Sequence, residues 1–136
     1  MNTNNSPRRI RRQREQDWRM PVDAEGRTPV YVGRPGAFGN RHRVVGNRGA
    51  WRVESPGGVL SAPMATEFDA AALAVAMFRA DLEQDAVLRA KIRAELPGRD
   101  VMCWCKEHTR SGKRFPCHGD VILEFAAQAI EEVPRG

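Results

Sequence analysis

No stretch of this sequence carries the roughly 20 consecutive apolar residues that a membrane-spanning helix needs, and its first residues lack the apolar core of a secretory leader. A membrane partner is therefore not expected, and a cytoplasmic location follows by default. Cysteine is scarce too, with three in 136 residues. An odd number cannot all pair internally, which argues against a disulfide framework and turns attention to metal or thiol chemistry. Aromatic residues are only 7% of the chain and hydrophobic ones 41%. That suffices for the modest core of one domain at this length, but not for two. No internal repeat is visible.

What is present is unevenly distributed. The net charge is +5, and residues 1–20 hold Arg8, Arg9, Arg11, Arg12, Arg14 and Arg19 against only Glu15 and Asp17. Residues 1–16 therefore read as a basic, disordered N-terminal arm ahead of a single α/β domain over 17–136. In that arm Arg8, Arg9, Arg11, Arg12 and Arg14 are candidates for binding nucleic-acid phosphates through counterion release. The plainer alternatives are a solvated leader or a short helix over Arg8–Gln16. Trp18-Arg19-Met20-Pro21 is the first segment expected to dock on a core.

Val30-Tyr31-Val32 reads as a buried strand. His42–Val45 and Trp51–Val53 flank Gly46-Asn47-Arg48-Gly49 and read as an antiparallel pair. A Pro/Gly-rich loop is expected over Ser55–Pro63. Thr66 is a good N-cap for an amphipathic helix over Glu67–Glu83, where Phe68, Ala71, Val75, Phe78 and Leu82 recur three or four apart. A second helix is expected over Asp85–Leu96, ended by Pro97-Gly98. Asp100–Cys105 is the next strand, and a stripe from Val121 through Ile130 to Val133 marks a last helix from about His118. This order favours a small parallel or mixed sheet flanked by helices in one compact domain. Ligands of such sheets bind beyond the carboxyl ends of the strands. The loops after Val32 and after Cys105 would meet there if their strands are parallel neighbours.

The first of these loops is Gly33-Arg34-Pro35-Gly36-Ala37-Phe38-Gly39-Asn40. Gly33, Gly36 and Gly39 would let the backbone approach an anion, with Arg34 on phosphate and Asn40 on base or sugar. The same composition also suits a tight turn with Phe38 anchored in the core.

The second stretch, Val101–Asp120, holds all three cysteines. Alternation along a strand puts Cys103 and Cys105 on one face, and Cys117-His118 stands directly before the last helix. Cys103, Cys105, Cys117 and His118 make a Cys₃His set suited to four-coordinate zinc, with His108 as a substitute ligand. The gaps of one and zero residues are unlike standard zinc motifs. The alternative chemistry is a thiol site, with Cys117 as nucleophile, His118 as acid/base and Asp120 orienting His118. A third reading makes the cysteines small buried hydrophobes. The basic run from Lys106 to Arg114 reads as a mobile loop suited to a phosphate-bearing ligand.

Trp18-Arg19-Met20-Pro21, Val30-Tyr31-Val32-Gly33-Arg34-Pro35, Phe38-Gly39-Asn40, Gly98-Arg99-Asp100, Cys103-Trp104-Cys105 and Cys117-His118-Gly119-Asp120 together resemble the family of small bacterial and phage proteins known as DUF4326, a domain of unknown function. The likeness runs from about Arg12 to Ala129. It implies a compact α/β fold, a phage or bacterial cytoplasmic setting, and one shared site built from the GRP, GN, CWC and CHGD residues. Arg41 stands where that family usually has proline, and the link Lys106–Pro116 is longer than usual.

The expectation is a phosphate-ligand site, for a nucleotide or nucleic acid, between the Gly33–Asn40 loop and a zinc-holding or directly acting Cys/His cluster. A catalytic zinc would keep an open position and free His118 for acid/base work. The alternative is a non-enzymatic, zinc-stabilised interaction module whose Arg-rich arm binds nucleic acid or a host protein.

Overall fold

The computed structural model of the protein describes residues 6–131. Residues 1–5 of the basic arm and Val133 of the last apolar stripe lie outside the described residues. The chain is α/β, with three helices and two small sheets. In the parallel sheet the strand order is β1 (Arg9–Arg11), β6 (Val101–Cys103), β2 (Val30–Tyr31). β2 and β6 are the parallel neighbours that the site expectation required, in the register Val30↔Val101 and Tyr31↔Met102. β6 is buried at all three positions, as a central strand covered on both faces should be.

β1 corrects the reading of Arg8–Gln16 as a disordered arm or short helix. Arg9–Arg11 pair in parallel with β6, flanked by Val101 N–H donating to the Arg8 carbonyl (2.9 Å) and Arg12 N–H donating to the Cys103 carbonyl (2.7 Å). The physical reason is that this three-residue strand is anchored by backbone bonds, one buried arginine and the single buried apolar residue Ile10 rather than by a run of apolar residues. Asp100, 3% exposed, fixes its start: the carboxylate accepts from the Arg8 N–H at 2.7 Å and from its guanidinium at 2.8 Å. The Trp18–Pro21 segment does not dock as expected. Met20 is 37% exposed and none of the four residues joins the core.

The antiparallel sheet runs β3 (Arg43–Asn47), β4 (Ala50–Ser55), β5 (Val59–Leu60). The expected hairpin is present, closed by Arg48-Gly49 with Gly49 at φ +70°, a value that favours glycine. The expected loop Ser55–Pro63 instead turns at Pro56-Gly57-Gly58 into the short third strand.

α1 (Glu67–Gln84) starts where Thr66 Oγ1 accepts from the Asp69 N–H at 3.0 Å. α2 (Ala86–Glu95) is capped by Asp85, which accepts from the Leu88 N–H at 2.9 Å. α3 (His118–Glu131) follows Cys117 directly. α1 joins the two halves. Its Phe78 and Leu82 enter the larger core with Val32, Ile92, Val101 and Ile122, whereas Ala70 and Ala74 pack with Val53 under the antiparallel sheet. Alanine at those two turns lets the sheet approach closely. Leu82 is fully buried, so Leu82→Ala should cost about 2–5 kcal/mol.

Candidate functional site

β6 ends at Cys103, and the chain then turns outward at Trp104 and returns at Cys105. Eleven residues of excursion bring it back to Cys117 at the mouth of α3. The excursion is not the mobile loop expected from its charge. It closes on itself through Thr109 N–H to the Lys113 carbonyl (2.7 Å) and Phe115 N–H to the Glu107 carbonyl (2.9 Å). Phe115 is buried edge-on against Phe68 of α1.

The anchor of this excursion is Arg9. Its guanidinium donates to the carbonyl of Phe115 (2.9 Å), to those of Lys106 and Glu107 (3.2 and 3.3 Å), and to Asp120 Oδ2 (3.0 Å). Its side chain is 1% exposed. Arg9 is therefore not a nucleic-acid contact, which corrects that expectation. A planar five-donor fork is the one side chain that can serve several oxygens from a strand edge. Arg8 is paired with Asp100 at 2.8 Å while its side chain stays 48% exposed.

The Sγ atoms of Cys103, Cys105 and Cys117 all lie within 4.8 Å of one another, with Cys103 and Cys117 at 3.3 Å. A tetrahedral ion with metal–sulfur bonds of about 2.3 Å sets its sulfurs about 3.8 Å apart, so the trio fits a metal ion with little adjustment. Cys117 Sγ also accepts from the Gly119 N–H at 3.4 Å, in the first turn of α3. The thiols share protons. Cys103 is held far below the ordinary thiol range, chiefly by the hydrogen bond from Cys105 and next by that from Cys117, against the effect of burial. Cys105 is pushed up because Cys103 engages its proton, and burial adds to this. The thiolate is thus favoured at Cys103 and disfavoured at Cys105.

His118 does not join the sulfur group. Its Nε2 donates to the carbonyls of Val32 (2.7 Å) and Phe38 (3.1 Å), and its Nδ1 stands 3.9 Å from Cys117 Sγ. The ring is 6% exposed and packs edge-on to Phe78. Asp120 does not orient it, as had been expected. That carboxylate is taken by Arg114 (2.7 and 3.1 Å) and Arg9 because the excursion brings both guanidiniums to the first turn of α3. His108 is exposed and outside the sulfur group as well.

The Gly33–Asn40 loop faces the cysteines across a cleft of about 380 Å³ lined by both. Gly33, Arg34 and Asn40 line it with Cys103, Cys105, Cys117 and His118, so the two stretches singled out in the sequence meet. Gly36 and Gly39 do not line it. Their N–H groups are spent inside the loop, on the carbonyls of Gly33 and Gly36 (3.1 and 3.0 Å), rather than aimed at an anion. At Gly39 a Cβ would come within 3.1–3.2 Å of Arg34 and the Gly33 carbonyl, so glycine there serves loop closure. Asn40 is not free for a base or sugar. Its Nδ2 donates to the Ala74 carbonyl (3.0 Å) and its Oδ1 accepts from the His42 N–H (2.9 Å). Arg34 is exposed, with one N–H on the Asn40 carbonyl at 3.1 Å.

One feature escaped the sequence reading. His42 is bonded at both ring nitrogens, Nδ1 to Ser55 Oγ (2.7 Å) and Nε2 to Asp81 Oδ2 (2.6 Å), and it forms part of the cleft wall. No spacing signals that trio, since its members come from three elements. Trp104, the middle residue of the CWC motif expected in the shared site, is 40% exposed on the cleft rim.

Residues 10–128 match the family profile described as Domain of unknown function (DUF4326). The chain belongs to that family. No curated protein and no solved structure matches it. No helix among the described residues is long and apolar enough to cross a membrane.

Proposed function

We propose that this DUF4326 protein holds zinc on Cys103, Cys105 and Cys117, and that the ion forms one end of a cleft binding a phosphate-containing ligand, a nucleotide or a nucleic-acid end. The observation that carries the reading is the mutual approach of three sulfurs at a cleft whose opposite wall is Gly33 and Arg34. Three thiolates suit zinc, and three protein ligands leave one position for water or ligand, as in sites that do more than hold a fold together. His118, bonded to two carbonyls, is not needed as the fourth ligand. The cleft is also cationic: Arg11, Arg34, Arg43 and Lys106 line it against the single carboxylate of Glu67. Lys106 pairs with Glu67 and Arg43 with Glu54. That leaves Arg34 and Arg11, which has no ion pair among the described residues, for the ligand. A fork on a planar anion is the recognition expected of arginine.

Metal holding is favoured over thiol catalysis by the partners of His118 and Asp120. Asp120 is held by Arg114 and Arg9 and does not stand behind His118, whose Nδ1 is 3.9 Å from Cys117 Sγ, so no Cys–His–Asp relay is assembled.

Purified protein should contain about one zinc per chain, lost in Cys117→Ser and Cys105→Ser. Calorimetry with a nucleoside triphosphate should show binding that Arg34→Ala weakens, by about 1.5–3 kcal/mol if a charge-assisted pair is removed. Protein that carries no zinc when grown with the metal would end the metal half of the reading. Nucleotide affinity indifferent to Arg34 would end the other half.

A further inference from the structure

Trp104 is 40% exposed although Cys103 beside it is 2% exposed. Its ring is not bare. The guanidinium carbons of Arg12 and Arg14 lie over it, 5.5 and 4.7 Å from the ring centroid. The backbone imposes this arrangement. Arg11 is paired with Cys103, and Arg12 N–H donates to the Cys103 carbonyl at 2.7 Å, so the next residues of the two strands stand side by side. Neither Arg12 nor Arg14 has a carboxylate partner among the described residues. Other surface arginines do, as in Arg43–Glu54 and Arg79–Glu124. Trp104 also lines the cleft together with Arg11, so this surface runs into the cleft without a break.

An exposed indole with two guanidiniums over its ring that no carboxylate neutralises matches a ligand with both flat faces and repeated negative charge. An acidic peptide would satisfy the arginines but leave the ring without a flat partner. A duplex offers charge but hides its base faces. An unpaired nucleic-acid strand offers both, with base stacking on the aromatic and phosphates on the arginines. We propose that Trp104, Arg12 and Arg14 form a platform for single-stranded nucleic acid, with one base on the indole, phosphates on the two guanidiniums, and the strand leading toward the cleft. Arg12, the more distant guanidinium, gives up its place over the ring to the base. The direction of the strand rests on the proposed cleft function; the platform itself does not.

Fluorescence anisotropy with labelled single-stranded DNA and RNA of about 12 nucleotides, and with the matching duplexes, tests this in the full chain. Trp104→Leu should weaken strand binding about 5- to 100-fold without changing its salt slope, and Trp104→Phe should weaken it less. Arg12→Ala with Arg14→Ala should flatten the slope of log K against log salt by about 1.4. The DNA and RNA arms decide which strand is preferred, and duplex should bind more weakly than either. Unaltered melting of each variant separates these effects from misfolding. Strand binding by Trp104→Leu equal to the wild type overturns the platform, as does duplex binding as tight as strand binding, or no strand binding at all. If Trp104→Leu is silent while Arg34→Ala abolishes binding, the platform falls and the cleft reading survives. If Trp104→Leu weakens binding while Arg34→Ala and Cys117→Ser do nothing, the platform stands and the cleft reading falls.

Discussion

His118 Nε2 lies 2.7 Å from the Val32 carbonyl and 3.1 Å from that of Phe38, so the residue after the last cysteine is bonded to the loop across the cleft. A nitrogen facing two carbonyls must carry the proton, which in the neutral ring leaves the Nδ1 lone pair toward Cys117. The link joins the two halves of the site through one ring. His118→Ala removes the donor from two buried carbonyls and opens a void beside Phe78, so it should lower stability by about 3 kcal/mol. Urea denaturation measures this, and His118→Gln should recover part of the loss by restoring a donor. An unchanged midpoint in His118→Ala would show that the link carries no weight.

Arg9 is the second joint. Arg9→Met keeps the stem but leaves three loop carbonyls without their donor and Asp120 with Arg114 alone. The expected cost is about 3 kcal/mol, near the lower end for breaking a buried charge pair because Asp120 is 36% exposed. Arg12→Ala, in contrast, should stay within about 0.5 kcal/mol. Thermal melts of the two variants, compared with a chain lacking residues 1–12, check the assignment. The truncated chain loses an edge strand of the parallel sheet and should melt at least as low as Arg9→Met.

The helices were legible because their apolar residues recur at helical spacing: Phe78, Leu82, Ile92, Val121 and Ile122 all reach the core from the stripes that marked them. The adjacency of β2 and β6, and so the meeting of the Gly33–Asn40 loop with the cysteines, followed from strand–helix order. β1 was not legible, because a three-residue strand whose buried side chains are Arg9 and the lone apolar Ile10 carries no apolar period. The bonding of Asn40, His118 and Asp120 was beyond pattern as well. Each is a polar residue whose partner is a carbonyl or guanidinium brought in from another element, and sequence shows donor capacity but not aim. Residue type marked two stretches that line one cleft and overstated how many of their polar groups are free.

His42 should act as a strut of the cleft wall. It ties the two strands of the β3–β4 hairpin together at their open end, through Ser55, and to Asp81 on α1. His42→Ala leaves two part-buried partners without their bond, at a cost of about 1–3 kcal/mol. Because the ring joins the hairpin to one helix only, the loss should be local. Amide hydrogen exchange is expected to quicken in β3 and β4 while α2 and α3 keep their protection. Uniform acceleration across the chain would mean that the ring supports the whole core.

The shared thiolate gives the metal-free protein a pH signature whose sign follows from the hydrogen bonds. Cys103 is depressed below the ordinary thiol value of 9.0, chiefly by Cys105. Below that value the unfolded chain therefore binds a proton that the folded chain has given up, and stability rises as pH climbs toward 9. Cys105 is raised, so above 9 the folded chain keeps a proton that the unfolded chain loses. The slope then reverses, and the contribution falls as pH rises further. Ultraviolet thiolate absorbance of metal-free protein at neutral pH should report about one thiolate per chain, where three ordinary thiols would be almost wholly protonated. Cys105→Ala removes the main donor to Cys103 and should abolish most of that absorbance, together with the rise in stability between neutral pH and 9. Retention of the full thiolate signal in that variant would show that the hydrogen bond from Cys105 is not what holds the Cys103 thiolate.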